Sequence, residues 1–219
     1  MHFQFLIEDQ SGQVLIELLM KKVQAEHPDV TCNYKFFGGI GGFTKKNTVK
    51  ETKDGKLLND LTTYLAGFNR SLAGIDAAIF VVLDNDDRNP IAFRAELEAV
   101  ALSRMITIDH VFCLAIEEME AWLLGDETAL LQAYPNAKIA ALRSYVQDSI
   151  CGTWEVLADI VYQGGCKKMK KDNPSYTGIG KIKSEWAQTI GTFMDIHNNQ
   201  SPSFNYFMGE IERRIPTTA

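Results

Sequence analysis

The chain has 219 residues, 46% of them hydrophobic, and a formal net charge of −6. That length suffices for one globular core without disulfide or metal staples. The net acidity argues against a broad basic surface for nucleic acid, and no run of about 18 apolar residues provides a membrane span.

Phe3–Ile7 is a short apolar run read as a first strand, and a helical stripe follows through Leu15, Leu18, Leu19 and Val23, ending before Pro28. Residues 30–37, VTCNYKFF, read as a second strand. A glycine-rich loop leads to a helix carrying Leu57, Leu58, Leu61, Tyr64, Leu65 and Phe68 on one face. Residues 77–83, AAIFVVL, form a third strand, and Asn89–Pro90 supply a cap and a first helical position. Phe93, Leu97, Val100 and Ala101 keep helical spacing before a fourth strand at 110–116. Strands alternating with helices predict a mostly parallel four-stranded sheet, an α/β fold covered on both faces. Beyond about residue 117 the strand signals fade. A long amphipathic helix runs through Ile179, Ile182, Trp186, Ile190 and Phe193, and Pro202 opens a last helix ending near Arg213 and Arg214. We expect an α/β core over 1–125 and a helical extension over 126–219 packed on it.

The N-terminus lacks the basic and long apolar regions of a signal peptide. Cys32, Cys113, Cys151 and Cys166 show no CxxC spacing. A cytoplasmic, reduced protein is expected. The four histidines form no HxH or HExxH pattern, and P-loop, GxGxxG and GxSxG motifs are absent. Trp122 and Trp186 read as core anchors.

Three strands end in acids. Glu8 and Asp9 follow the first, Asp84, Asp86 and Asp87 the third, and Glu117, Glu118 and Glu120 the fourth. Carboxylates favour helix first turns, so each cluster alone has an ordinary explanation as a solvated cap. Ligands of open parallel sheets nevertheless bind outside the carboxyl ends of the strands. On an extended chain Asp84 and Asp86 point the same way, ~6.5 Å apart. Two carboxylates ~4 Å apart repel by about 4 kcal/mol at an effective dielectric near 20, which a cation would offset. Mg²⁺ or Mn²⁺ suits such oxygen ligands. Glu118 and Glu120, two apart, reach one ion only if the helix begins after them.

In this order the acids resemble the Toprim domain of primases, topoisomerases and the overcoming-lysogenization-defect nucleases. There a glutamate follows the first strand, a DxD pair the third, and further acids the fourth. Residues 116–126, IEEMEAWLLGD, together with VLDNDDR at 82–88, KIKSEWAQTI at 181–190 and SPSF at 201–204, are similar to a Toprim-like bacterial family catalogued as domain of unknown function 4276. The resemblance implies a metal-dependent nuclease or related phosphoryl-transfer enzyme, in a bacterial defence or mobile-element setting. Asp84, Asp86, Glu118 and Glu120 would hold the metal, and Glu8 would act as general base or acid. Nuclease-type sequences often add an acid four residues after the first glutamate, where this chain has Gly12. That departure puts a second metal in doubt.

Two segments are candidates for phosphate contact. The loop FFGGIGGFTKK at 36–46 offers Gly39 and Gly41 for close backbone approach and Lys45 and Lys46 for charge. The run CKKMKKDNPSYTGIGKIK at 166–183 offers Lys167, Lys168 and Lys181 beside Tyr176. An ordinary surface loop and an exposed connector explain them equally well. A non-catalytic module that binds metal, nucleic acid or a protein partner encoded elsewhere is the alternative function. A haloacid-dehalogenase-like phosphatase is disfavoured, because its DxD follows the first strand.

Overall fold

The computed structural model describes residues 1–41 and 56–216. Four strands, β1 (His2–Ile7), β2 (Thr31–Phe36), β3 (Ala77–Asp84) and β4 (Asp109–Ala115), form an all-parallel sheet in the order β2-β1-β3-β4. The connecting helices are α1 (Gln10–Glu26), α2 (Leu57–Ser71) and α3 (Pro90–Ser103). The α/β architecture expected from the alternation is therefore present, and the sheet has no antiparallel member.

Strand composition follows position in the sheet. Central β3 is buried on both faces and reads as an unbroken apolar run, whereas β2 at the edge is mostly exposed. Phe3, Phe5 and Ile7 of β1, with Ala78, Phe80 and Val82 of β3, face one layer. Leu6, Ile79, Val81 and Leu83 face the other, where α2 and α3 supply Leu58, Leu61, Leu65, Phe93 and Leu97.

The first layer holds α1 and everything after β4: α4 (Glu120–Leu124), α5 (Glu127–Ala133), α6 (Ile139–Ser144), α7 (Thr153–Val161), α8 (Gly165–Asp172), α9 (Tyr176–Phe193) and α10 (Pro202–Glu212). One apolar cluster runs from Phe3 and Phe80 through Trp122 to Trp186 and Phe207. α9 packs along α1, and α10 covers β4. Both Trp122 and Trp186 are buried, as expected of anchors. Trp122 stacks on Phe207 with ring centroids 5.0 Å apart and donates its indole N–H to Ser203 Oγ at 2.9 Å. The EAW and SPSF segments thus meet in the core.

From β1 the chain moves to β2 on one side and returns to β3 on the other. The sheet therefore has its switch point between β1 and β3, where crossovers diverge and leave a crevice beyond the strand ends.

Candidate functional site: a carboxylate cluster around one lysine

The switch point brings the ends of β1 and β3 into contact. Glu8 Oε2 accepts the Asp84 N–H at 2.9 Å, and Asp84 Oδ1 accepts the Met119 N–H at 2.9 Å. These two bonds tie three strand ends together, because β4 lies beside β3 and Met119 follows it. α4 begins at Glu120, so Glu118 precedes the helix and the opposite-faces constraint does not apply to the pair. Both approach one point, which is occupied by Lys183 Nζ from α9, 3.7 Å from Glu118 Oε1 and 3.1 Å from Glu120 Oε2. Glu120 is 2% exposed, and its Oε2, despite this ion contact, makes no well-aligned hydrogen bond.

Asp9 also faces this centre, and its carboxylate caps α1 by accepting the Gly12 N–H at 2.8 Å and the Ser11 hydroxyl. Five carboxylates (Glu8, Asp9, Asp84, Glu118 and Glu120) thus act on one ammonium. Burial pushes Glu8 up to about 7; the Asp84 N–H opposes the shift, and Asp9 and Asp86 add to it. Burial also raises Glu118 to about 7, against the pull of Lys183. Asp84 lies well above the usual carboxylate range through burial and the charge of Glu8, and Glu120 is raised mainly by burial. Burial would lower Lys183, but Glu120, Glu118, Asp84 and Asp9 outweigh it and hold the ammonium above the ordinary lysine value.

Asp86 behaves differently from its expected partner. β3 ends at Asp84, and Asp86 takes φ +51°, so the period-two geometry that would align the two side chains is broken. Its N–H pairs with Glu117 O at 2.9 Å, and its carboxylate, half-exposed, meets Arg88 at 2.5 Å. Asp86 therefore sits at the rim, near enough to raise Glu8, and the expectation of a parallel carboxylate pair is corrected.

Glu117, also with positive φ (+59°), turns away from the cluster. Its carboxylate accepts the N–H groups of Cys151, Gly152 and Thr153 at 2.8–3.0 Å and the Thr153 hydroxyl, closing the N-terminus of α7. This capping holds it below the usual carboxylate range despite burial.

Gly12 lies where an added acid would complete the nuclease-type pattern. A Cβ there would stand 2.9 Å from Ile7 Cγ2 and 3.4 Å from Met119 Cε. An acidic side chain does not fit without moving the core.

The phosphate-contact candidates fall elsewhere. The Gly39 N–H is already given to Glu8 O at 3.0 Å, and Gly39 O accepts from Leu57 N, so this glycine fixes the turn into α2. It does not present its amide to a ligand, which corrects the expectation for it. Gly41 has φ +76° and packs close to Asn59. Lys45 and Lys46 lie outside the described residues. Lys167, Lys168 and Lys181 are exposed on α8 and α9, and Lys168 pairs with Asp172 at 2.6 Å.

Lys183 was not among the expected site residues. A signal for it exists: it falls within the apolar stripe, beside Ile182 and three residues before Trp186, where a lysine must be paired to be buried. Lys181 lies off that stripe.

Fold and site together define an α/β protein with a carboxylate–lysine cluster at the carboxyl edge of its sheet. Compared with models of known protein families, with curated proteins and with solved structures, the chain finds no match in any of the three.

The donor set suits a hard cation: it is all oxygen and has five carboxylates facing the one ammonium of Lys183. Among the described residues, no three His, Cys, Asp or Glu side chains already stand in a metal-binding arrangement.

Proposed function

We propose that this protein is a metal-dependent phosphodiesterase of Toprim type acting on nucleic acid. The observation that carries the reading is the gathering of Glu8, Asp84, Glu118 and Glu120 around Lys183 at the sheet's switch point. Asp84 and Glu120, with Glu118 beside them, would hold Mg²⁺ or Mn²⁺, which when bound would offset charge on the phosphoryl oxygens and acidify water.

The chain's own groups divide the remaining work. Glu8 Oε2 is engaged by the Asp84 N–H, which leaves Oε1 to take the proton of an attacking water. Burial raises Glu8 to about 7 in the metal-free cluster, and a bound cation would lower it, leaving an ionised carboxylate able to accept that proton. Lys183, held protonated by its neighbours, is a fixed positive charge for a phosphate oxygen rather than an acid. The departing oxygen takes its proton from solvent.

A second reading is a non-catalytic module in which Lys183 permanently fills the cation position. The 3.1 Å contact of Lys183 to Glu120 favours it. The two separate in a cleavage assay with Mn²⁺ or Mg²⁺ on supercoiled plasmid, single-stranded DNA and RNA, comparing wild type with Asp84→Asn. Cleavage by wild type alone supports the enzyme. No cleavage, or equal cleavage by both, returns the module.

A further inference from the structure

The lysine-rich corner formed by α8 and α9 is continuous with the acid cluster. Residues 166–183 carry six lysines against one aspartate in a chain of net charge −6. Cys166 and Met169 anchor α8 to the core and turn its lysines outward. Lys168 is held by Asp172 and lies over Tyr162, while Lys170 is held by Glu155 at 3.2 Å and lies over the Trp154 ring. The backbone N–H of Trp154 in turn donates to Glu118 Oε2 at 3.2 Å. A chain of direct contacts therefore runs from α8 to the cluster. Lys167, Lys171 and Lys181 are exposed and form no ion pair among the described residues.

Tyr176 opens α9 and is 91% exposed, the most exposed large hydrophobic side chain of the described residues. It precedes Lys183 by seven residues, two helical turns, so both lie on nearly the same face of α9, about 10 Å apart along the axis. An aromatic in solvent, in line with a cationic site group and next to the exposed Lys167 and Lys171 of α8, matches what an unpaired nucleobase and its phosphates require. A duplex presents no unstacked base face to it.

We infer that the α8–α9 corner is the entry lane for a single-stranded nucleic acid, with Tyr176 stacking on an unpaired base and Lys167 and Lys171 contacting phosphates. This rests on the phosphodiesterase reading for its purpose but not for its test, which measures binding alone. The probe is a fluorescein-labelled 20-nucleotide oligothymidylate, followed by anisotropy in EDTA, with a blunt 20-base-pair duplex as comparison.

Tyr176→Ala should weaken single-strand binding at least fivefold, the lower end of what one base stack contributes, and leave duplex binding unchanged. Tyr176→Phe, which keeps the ring, should bind as wild type. Replacing Lys167 and Lys171 together by alanine should reduce the slope of log K against log salt by about 1.4, or about 0.7 per contact. All three positions are exposed, so circular dichroism should be unaltered. No measurable binding by wild type, an unaffected Tyr176→Ala protein, an equal loss on duplex or an unchanged salt slope would each overturn the lane. If the lane holds but wild type cleaves nothing, the nuclease reading fails while this one stands.

Discussion

At Asp84 the two carboxylate oxygens have separable jobs. Oδ1 accepts the Met119 N–H and joins strand ends, while the negative charge itself is unfavourable beside Glu8. Asp84→Asn keeps an Oδ1 acceptor and removes the charge. We expect metal-dependent cleavage to fall to background, with a melting temperature in EDTA equal to or above wild type. A drop of many degrees would assign Asp84 to folding instead. Lys183→Met should act in the opposite sense. It leaves buried acids without their cation, and breaking such a pair costs about 3–5 kcal/mol. Urea unfolding at pH 8 in EDTA measures this, and a loss below about 1 kcal/mol would mean that the carboxylates already hold protons. Asp84 was legible in sequence because an apolar strand ending in acids is a local pattern. The departure of Asp86 was not, since it depends on a left-handed residue paired with Glu117 across the sheet end. Lys183, far along the chain, needed the stripe to be read for what interrupts it.

Among the elements, the strands and α1–α3 were readable because period, caps and turn residues agree. Asn89 accepts from Ile91 and Ala92 N–H groups at 3.0 Å with Pro90 behind it, as the local signal implies. The helices after β4 resisted reading because most are short and two of them, α7 and α10, take part of their capping from distant residues. α7 begins after Gly152, which has positive φ and no side chain, and borrows its cap from Glu117. The first turn of α10 is closed by Ser201 and by Asp148, which accepts the Ser203 N–H at 2.7 Å. Glu117→Ala should therefore destabilise the fold by about 2 kcal/mol, the upper range for a lost helix cap. Hydrogen exchange would localise the loss to α7, and protection there equal to wild type would show that another group closes this helix. Gly12→Ala tests α1 in the same way. Alanine gains helix propensity worth under about 1 kcal/mol, but overpacking against Ile7 costs about 1–3 kcal/mol. Net destabilisation is expected in chemical denaturation, and a more stable variant would show that Ile7 and Met119 yield easily.

For the whole molecule, the cluster makes stability depend on pH and on cations together. Glu8, Asp84, Glu118 and Glu120 all have raised values, so the folded state binds their protons more tightly than the unfolded chain does. Stability from Glu8 and Glu118 is fully present below the usual carboxylate range and is lost as pH rises through about 7, and Asp84 and Glu120 act in the same direction. His197, raised by Glu26 at 3.1 Å, acts in the same direction but is exposed and screened. Asp109, Glu117 and Glu210 are lowered and act oppositely, losing their contribution only on acidification below the usual range. In EDTA the melting temperature should therefore fall by about 5–10 °C between pH 6 and pH 8.5, given a few kcal/mol and about 2–4 °C per kcal/mol at this chain length. A bound divalent cation replaces the protons as the neutralising charge, so saturating Mn²⁺ should flatten that fall and raise the melting temperature most at the alkaline end. Scanning calorimetry across this range, with and without Mn²⁺, separates the two proposed functions on stability alone. An alkaline loss that Mn²⁺ leaves untouched would mean that Lys183 closes the cluster to metal, whereas a flat profile in EDTA would mean that the acids ionise without cost.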